Sequence, residues 1–311
     1  MVLTKKAVYV ERAPAKINLF LDILDKRDDG YHDIETIFQA INLEDFLTFE
    51  ISVDVAEQEN EISEAIEFEL EIDSDSEAVR GLGLSNLVTR AVEAYFASIP
   101  AHDDKADLID MISTVKLSIF IDKRIPMQAG LAGASADAAA TLRALNNFFY
   151  ENFNWSLSEK ELLEIALELG SDVPFCLRSL KQSRIYAESR GEKFKELKTD
   201  FDFDSFNQVL VVKPQFGIET AQAYKLVSSY KPKKHRKIEF YNAFENPIFD
   251  NYPELLQIQE ALLKAGCDHV LLSGSGSSIL GFVNKEKNLK SIAQEAGESL
   301  SDCQLFECSF N

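Results

Sequence analysis

The stretch "IPMQAGLAGASADAAATLRALN", residues 125–146, joins a loop almost without side chains to an alanine-rich helix. The backbone is bare at four small residues, Gly130, Ala132, Gly133 and Ala134. Such a loop lets backbone N–H groups approach an anion, and a helix N-terminus adds roughly half a positive charge. We therefore expect the loop to bind a phosphate group. A tight packing turn explains the same residues equally well. Neither GxxxxGK[ST] nor GxGxxG occurs here, which excludes the P-loop and the dinucleotide fingerprint.

Four further polar residues have positions suited to chemistry. Ser135 follows the loop and can cap the helix or offer its hydroxyl to a phosphate or to Mg²⁺. Lys16 and Asn18 are two residues apart in "APAKINLF", which places both on one face of a predicted strand. Asp172 stands in "LGSDVPF" between a glycine and a proline. Surface exposure for Lys16 and turn formation for Asp172 are the ordinary alternatives.

The elements that must position these residues begin with a sheet-rich N-terminal region. Alternation predicts strand, proline turn and strand over residues 7–24, and further strand over 32–50 with a polar break at "NLED". Residues 51–80 hold eleven acidic side chains against one arginine, and their alternation favours a half-exposed hairpin. Residues 85–99 predict a helix capped by Ser85, and 115–125 predict the strand that leads into the glycine loop.

The second half of the chain alternates between strands and helices. A capping box of Ser158 and Glu161 opens a helix over 158–169 that ends at Gly170. "NQVLVVKP" predicts a buried strand, "TAQAYKLVSS" and "YPELLQIQEALLKAG" predict helices, and "HVLLSGSGSSILGFV" predicts strand, glycine turn and strand. The basic run "KPKKHRK", 231–237, is interpreted as a solvated loop.

Bulk composition limits the classes of function. A length of 311 residues with 46% hydrophobic content is enough for two lobes. The net charge of -20 argues against nucleic-acid and anionic-membrane partners. The four cysteines lack metal-ligand spacing and are expected to be reduced structural thiols. No signal-peptide core or membrane-length apolar run is present, so we expect a cytoplasmic protein.

The motifs also carry a resemblance to a known family. The stretches "PAKINLFL…DGYHDIETIFQ", "IPMQAGLAGASADAAATLRALN" and "GSDVPF", with "SGSGSS" near the C-terminus, resemble GHMP kinases of the type that acts on 4-diphosphocytidyl-2-C-methyl-D-erythritol. "GYH" after "PAKINL" distinguishes this family from homoserine, galactose and mevalonate kinases. The resemblance implies an α+β fold of two lobes with a cleft between them. Residues 1–175 would form the nucleotide-binding lobe and 176–311 a ferredoxin-like substrate lobe.

The resemblance further implies an ATP-dependent kinase that uses Mg²⁺ and transfers the γ-phosphate of ATP to a hydroxyl of the methylerythritol unit in the non-mevalonate isoprenoid pathway. The expected partner is thus a small cytidine-diphosphate-linked polyol. Lys16 and Asp172 match the catalytic pair of the family. A lysine ammonium keeps the carboxylate ionised to accept the hydroxyl proton, and it neutralises charge on the transferring group.

The substrate and nucleotide positions follow from the same resemblance. Asn18 matches a contact near the reacting hydroxyl, and Tyr31 and His32 match the cytidine-binding pair. Tyr224 would close the base from its other face, with Thr220 just ahead of it. Beside the substrate lie Gly274 and Gly276. The positions matched to ATP are Asn86, Lys123, Pro126, Gln128, Ala129, Gly130, Leu131, Ala132, Gly133, Ala134 and Ser135.

The chain departs from the family pattern at two places, and each departure supports an alternative function. A methyl at Ala134 would obstruct the loop if that position needs a positive φ or a close approach of phosphate, which favours a catalytically weak nucleotide-binding or regulatory protein. The stretch 178–189 lacks the usual Gly-Gly-Thr-Ala turn before Arg190, Gly191 and Glu192, which favours a paralogue with a shifted substrate. Retention of Lys16 and Asp172 favours the active kinase.

Overall fold

The computed structural model describes residues 2–56, 67–99, 111–228 and 237–311. The chain forms two compact units that interleave along the sequence. The first contains residues 1–13, 44–124 and 134–177, and the second contains 14–43, 125–133 and 178–311. The lobe boundary near residue 175 stays a prediction.

Eleven strands and nine α-helices make up the described part of the chain, together with short 3-10 turns. The strands are β1 Val2–Lys26, β2 His32–Ala56, β3 Glu67–Ser74, β4 Ile112–Asp122, β5 Arg184–Ser189, β6 Lys193–Lys195, β7 Gln208–Lys213, β8 Tyr241–Asn242, β9 His269–Leu272, β10 Ile279–Val283 and β11 Gln304–Ser309. The helices are α1 Glu77–Arg80, α2 Leu87–Ser98, α3 Gly133–Phe153, α4 Glu159–Leu169, α5 Val173–Arg178, α6 Thr220–Val227, α7 Glu245–Asn251, α8 Glu254–Lys264 and α9 Leu289–Ser299. The mixture confirms the predicted α+β class.

The first unit is built on neighbouring strands in the order β3-β4-β2-β1. β4 pairs antiparallel with β2 from Phe46↔Asp122 onward, and it pairs parallel with β3 from Glu67↔Thr114 onward. The predicted hairpin within 51–80 is therefore wrong, because β4 lies between β2 and β3. Alternation reports a half-exposed strand but does not identify its neighbour.

Two predicted interruptions of the N-terminal strands are also wrong. β1 runs unbroken through Pro14, since the fixed φ of proline is compatible with extended backbone. β2 runs unbroken through "NLED". There the carboxylate of Asp45 is buried and accepts a hydrogen bond from the backbone N–H of Arg124 over 2.6 Å, so the polar residue is satisfied inside the strand.

Helix termini follow local hydrogen bonds. The box of Ser158 and Glu161 is confirmed, with Ser158 N donating to Glu161 Oε2 over 2.7 Å and Gly170 ending the helix. The predicted Ser85 cap is wrong. The N-cap of α2 is Asn86, whose Oδ1 accepts from the N–H of Val88 over 3.0 Å.

Aromatic side chains fill the core of the first unit. Tyr95 is fully buried among Phe149 and Trp155, with ring centroids 5.7 and 6.5 Å away. Its hydroxyl donates to Asn146 Oδ1 over 3.2 Å, which satisfies the one polar atom that the ring carries into the core.

The second unit contains an antiparallel sheet of order β11-β7-β10-β9. This sheet confirms the strands predicted from "NQVLVVKP" and "HVLLSGSGSSILGFV", and α6 and α8 confirm the two predicted helices. β7 is buried at all but its first position, which explains its unbroken apolar sequence. Most of "KPKKHRK" lies outside the described residues. No helix within the described ranges is long and apolar enough to cross a membrane.

Asn86→Ala is expected to lower the free energy of unfolding by about 1 kcal/mol, because the first turn of α2 loses its cap. Ser85→Ala is the matched control and is expected to change stability by less than ~0.5 kcal/mol. Urea unfolding of both variants measures the difference. Equal losses in the two variants would contradict the assignment of Asn86 as the cap.

Candidate active site

Two glycine turns of the second unit pack directly against each other. Gly130 has φ 74°, and a Cβ built there would lie 2.0 Å from the carbonyl oxygen of Ser273. The hydroxyl of Ser273 donates to Gly130 O over 3.1 Å, and the N–H of Ser278 donates to Ala129 O over 3.3 Å. Close packing against the second turn therefore accounts for glycine at position 130. Of the two explanations that the sequence leaves open, the packing turn holds at this residue.

The strained backbone of the first turn is not where the sequence suggested. Ala134 lies in the first turn of α3, outside the residues with positive φ, so the suggestion that this position needs a positive φ is wrong. The suggestion that its methyl obstructs a phosphate stays a prediction. Positive φ falls instead on Gln128, at 51°, and on Ala132, at 57°. A non-glycine residue in this region costs on the order of 1 kcal/mol. The loop is thus held in a conformation that Ala132 tolerates only because its surroundings fix it.

Lys16 and Asn18 lie beside both turns. The backbone N–H of Lys16 donates to Leu131 O over 3.1 Å, which ties β1 to the first turn. Lys16 Nζ donates to Asn18 Oδ1 over 3.0 Å, and Asn18 Nδ2 donates to Thr36 Oγ1 over 2.8 Å. A Cβ at Gly274 would lie 3.6 Å from Lys16 Nζ and 3.4 Å from Asn18 Oδ1. These contacts bring the two polar groups together on one strand face, as predicted.

Burial decides the character of this lysine. Lys16 is 5% exposed, so the alternative of an ordinary surface lysine is wrong. Burying an ammonium is costly unless polar partners compensate for its lost hydration. Thr36, which the sequence analysis missed, accepts a hydrogen bond from Asn18, and its hydroxyl donates one to Phe20 O over 2.8 Å. These two bonds fix the orientation of the Asn18 amide. A threonine on the neighbouring strand gives no sequence signal for this role.

The second glycine turn is anchored from behind by Asn242 and Glu245. Asn242 Nδ2 donates to the carbonyl oxygens of Leu272 and Gly274 over 2.7 and 2.8 Å, and its Oδ1 accepts from Phe244 N over 2.9 Å. Glu245 Oε1 accepts from Leu272 N over 2.9 Å. These bonds use side chains that the sequence analysis missed. They fix the position of the second glycine turn relative to Gly130.

The residues predicted to recognise cytidine also lie in the second unit. The rings of His32 and Tyr224 stack with centroids 5.1 Å apart at 18°. Burial, followed by the charge of Lys26, lowers the pKa of His32, which favours the neutral imidazole. Tyr31 is 48% exposed. Thr220 Oγ1 lies 3.3 Å from Ser275 Oγ, which brings the start of α6 to the second glycine turn.

Lys123 belongs to the first unit and is buried between two carboxylates. Its Nζ lies 2.5 Å from Asp45 Oδ2 and 2.7 Å from Asp137 Oδ2. Its side chain is only 8% exposed. Burial raises the pKa of Asp137 to about 7, against the lowering effect of Lys123. Both charged hydrogen bonds of Lys123 point at protein groups, and its predicted role at ATP stays a prediction.

The remaining predicted residues of the first unit have simple local positions. Asp172 immediately precedes α5, where its carbonyl oxygen accepts from Cys176 N over 3.1 Å. Ser135 lies partly buried in the first turn of α3. Within the described ranges no group of three or more His, Cys, Asp or Glu side chains forms a metal cluster. A hydroxyl such as that of Ser135 fits Mg²⁺ only as an accessory oxygen ligand.

Comparison with known proteins assigns this chain to a family. A family model described as GHMP kinases N terminal domain matches residues 86–179, and one described as GHMP kinases C terminal matches residues 232–302. The mevalonate kinase of Methanococcus jannaschii has the same fold, with a TM-score of 0.61 at 17% identity over 98% of this chain and 99% of that one. The chain belongs to the GHMP kinases, which confirms the predicted fold.

Relatives of higher identity narrow the family. The 4-diphosphocytidyl-2-C-methyl-D-erythritol kinase of Bacillus subtilis (strain 168) is 34% identical over 91% of each chain. The enzyme of the same name from Enterococcus faecalis is 33% identical, covering 91% of this chain and 93% of its own. A crystal structure of 4-(cytidine 5'-diphospho)-2C-methyl-D-erythritol kinase aligns with a TM-score of 0.68 at 26% identity, covering 97% of this chain and 99% of that one. Within the GHMP kinases, this chain belongs to the 4-diphosphocytidyl-2-C-methyl-D-erythritol kinase family.

Gly130→Ala is expected to lower the free energy of unfolding by about 2–4 kcal/mol. The new Cβ would overlap the backbone of Ser273, and the alanine would have to adopt a strained positive φ. Gly297→Ala is the control, since it lies in α9 and its Cβ would meet only Leu305 at 3.9 Å. Alanine favours a helix interior, so this control should be neutral or stabilising by up to ~1 kcal/mol. Denaturant unfolding compares them, and a tolerated Gly130→Ala would disprove the close packing of the turns.

Glu245→Gln is expected to flatten the dependence of stability on pH. Burial raises the pKa of Glu245 to about 7, against the lowering effect of the Leu272 N–H. A raised carboxyl pKa stabilises the fold below the ordinary value near 4.5, and this contribution is lost as pH rises toward 7. The natural protein should therefore lose stability between pH 5 and pH 8, and Glu245→Gln should not. Relative to the natural protein, the free energy of unfolding of the variant should rise by about 1–2 kcal/mol over this range. Denaturant unfolding at pH 5 and at pH 8 measures this difference. The same change in unfolding free energy for both proteins would contradict the prediction.

Proposed function

We propose that the protein transfers the γ-phosphate of ATP to a hydroxyl of 4-diphosphocytidyl-2-C-methyl-D-erythritol, a step of the non-mevalonate isoprenoid pathway. The observation that carries the proposal is the buried pair Lys16 and Asn18 held against both glycine turns, in a chain of this family. The cytidine-recognition positions Tyr31, His32 and Tyr224 are all retained. A small anionic ligand also suits a chain of net charge -20, because only a few fixed cations need to contact it.

The proposed mechanism assigns one role to each residue. Asp172 accepts the proton of the attacking hydroxyl, and Lys16 neutralises charge on the transferring phosphoryl group. Asn18 orients the acceptor, since its amide is fixed by Thr36 and Lys16. Phosphoryl transfer has a loose transition state, so positioning and electrostatic stabilisation contribute more than basicity.

The nucleotide is assigned to the first glycine turn and the start of α3. The proposed contacts are backbone groups from Pro126 to Ala134, with Asn86, Lys123 and Ser135 nearby in the assignment of the family. Mg²⁺ supplies neutralisation of phosphate charge when bound, and Ser135 is the protein oxygen proposed to reach it. We further propose a cytoplasmic location.

The alternatives lose support from particular observations. A weak nucleotide-binding protein was favoured by an obstructing methyl at Ala134, and that residue has ordinary helical backbone. A paralogue with a shifted substrate was favoured by the altered stretch 178–189. The ordered β5–β6 hairpin that this stretch enters still carries Arg190, Gly191 and Glu192 at its tip.

A coupled ADP-release assay with the cytidylated methylerythritol, run beside mevalonate and homoserine, tests the proposed function. Asp172→Asn is expected to lower kcat by at least ~100-fold while ATP binding stays within about twofold, because the variant keeps the shape and loses the base. Titration of a fluorescent ATP analogue measures the binding. Unchanged turnover would remove Asp172 from the mechanism, and turnover of mevalonate or homoserine alone would reject the proposed substrate.

A further inference from the structure

Arg190 is a charged residue that the mechanism does not use, and its side chain lies flat against Tyr31. The guanidinium carbon is 3.7 Å from the centroid of the Tyr31 ring. A planar guanidinium over an aromatic face combines stacking with cation–π attraction. One face of the tyrosine is therefore covered by arginine, while the side chain remains 48% exposed.

The turn that carries Tyr31 is fixed by Arg27. The N–H of Arg27 donates to Tyr31 O over 2.8 Å, and the N–H of Tyr31 donates to Asp29 Oδ1 over 3.1 Å. The guanidinium of Arg27 pairs with Asp29 and Asp33 at 2.9 and 3.0 Å. The backbone beneath the tyrosine is thus defined, and its ring orientation depends on what packs beside it.

The turn that carries Arg190 is fixed independently and is joined to the first. Arg190 lies at the tip of the β5–β6 hairpin between two residues of positive φ, Ser189 at 66° and Gly191 at 104°. The N–H of Arg190 donates to Glu192 Oε2 over 2.8 Å. Arg27 Nη1 donates to Ser189 Oγ over 2.9 Å, so a hydrogen bond and a ring stack connect the same two turns.

We propose that Arg190 is a positioning residue for recognition of the cytosine base: it stacks behind Tyr31 and holds the ring in the orientation that receives the base on its other face. This inference rests on the proposed function. A half-exposed tyrosine without this backing would sample several ring orientations, and binding would have to select one of them. The guanidinium of Arg190 holds the Tyr31 ring in one orientation before the substrate binds.

A double-mutant cycle with Arg190→Met and Tyr31→Ala tests the proposal. Arg190→Met should raise KM for the cytidylated substrate, and Ki for cytidine 5'-diphosphate, by about fivefold to tenfold. KM for ATP and kcat should stay within about twofold, because the base contact is made in both the ground and transition states. In the Tyr31→Ala background, Arg190→Met should have no further effect, since its route of action is gone.

Two controls separate positioning from charge and from folding. Lys195→Met removes the same charge from an exposed position of the same hairpin, and it should leave all constants unchanged. Arg190→Lys keeps the charge without the plane and should recover only part of the affinity. Thermal unfolding and circular dichroism test whether each variant is folded. If Arg190→Met does not fold, Arg190→Lys replaces it in the measurement of KM and Ki.

An unaltered KM in folded Arg190→Met, an equal effect in both Tyr31 backgrounds, or full recovery by Arg190→Lys would overturn the positioning role. Failure of the natural protein to turn over the cytidylated substrate or to bind cytidine 5'-diphosphate would instead overturn the proposed function, and the inference with it. Normal turnover with an unaffected Arg190→Met would overturn the inference alone.

Discussion

The contact between two backbone turns is the constraint on which the second unit's site depends. Gly130 approaches the carbonyl oxygen of Ser273 so closely that no side chain fits at that position. The same second turn brings Gly274 beside Lys16 and Asn18. Spacing between the two turns is therefore set by main-chain atoms, which have fewer ways to relax than side chains. Any group bound by this loop meets amides whose positions are determined by a segment far away in sequence.

Local sequence signals predicted most of the elements but few of their partners. The capping box at Ser158, the buried strand β7 and the helices α6 and α8 depend on short-range patterns, and the structure confirms them. The pairing of β3 with β4 joins residues that are 47 positions apart, such as Glu67 and Thr114, and alternation alone does not encode it. The interruptions predicted at Pro14 and "NLED" are wrong for a related reason. A proline or a polar run ends a strand only where no neighbouring segment satisfies its backbone and side chains, and here Arg124 N–H donates to Asp45.

The candidate site shows the same division. Spacing placed Lys16 and Asn18 on one strand face, and motif order identified the family. The supporting groups Thr36, Asn242 and Glu245 escaped notice, because single polar residues in a strand or at a helix start resemble ordinary surface positions. The strain at Ala132 escaped as well, since composition does not report φ. Residues that touch a ligand belong to motifs, whereas residues that hold them are scattered across neighbouring elements.

The interleaved units have a consequence for how the protein is made. Residues 14–43 belong to the second unit, whose largest part, 178–311, is synthesised later. At ~5–20 residues per second, the early segment waits on the order of 10 s for its partners during synthesis. Apolar strand residues such as Leu19, Phe20 and Ile37, which end up fully buried, are without their final neighbours for that interval. Extended apolar segments of the nascent chain are therefore open to premature contacts with other chains until the later part of the second unit is made.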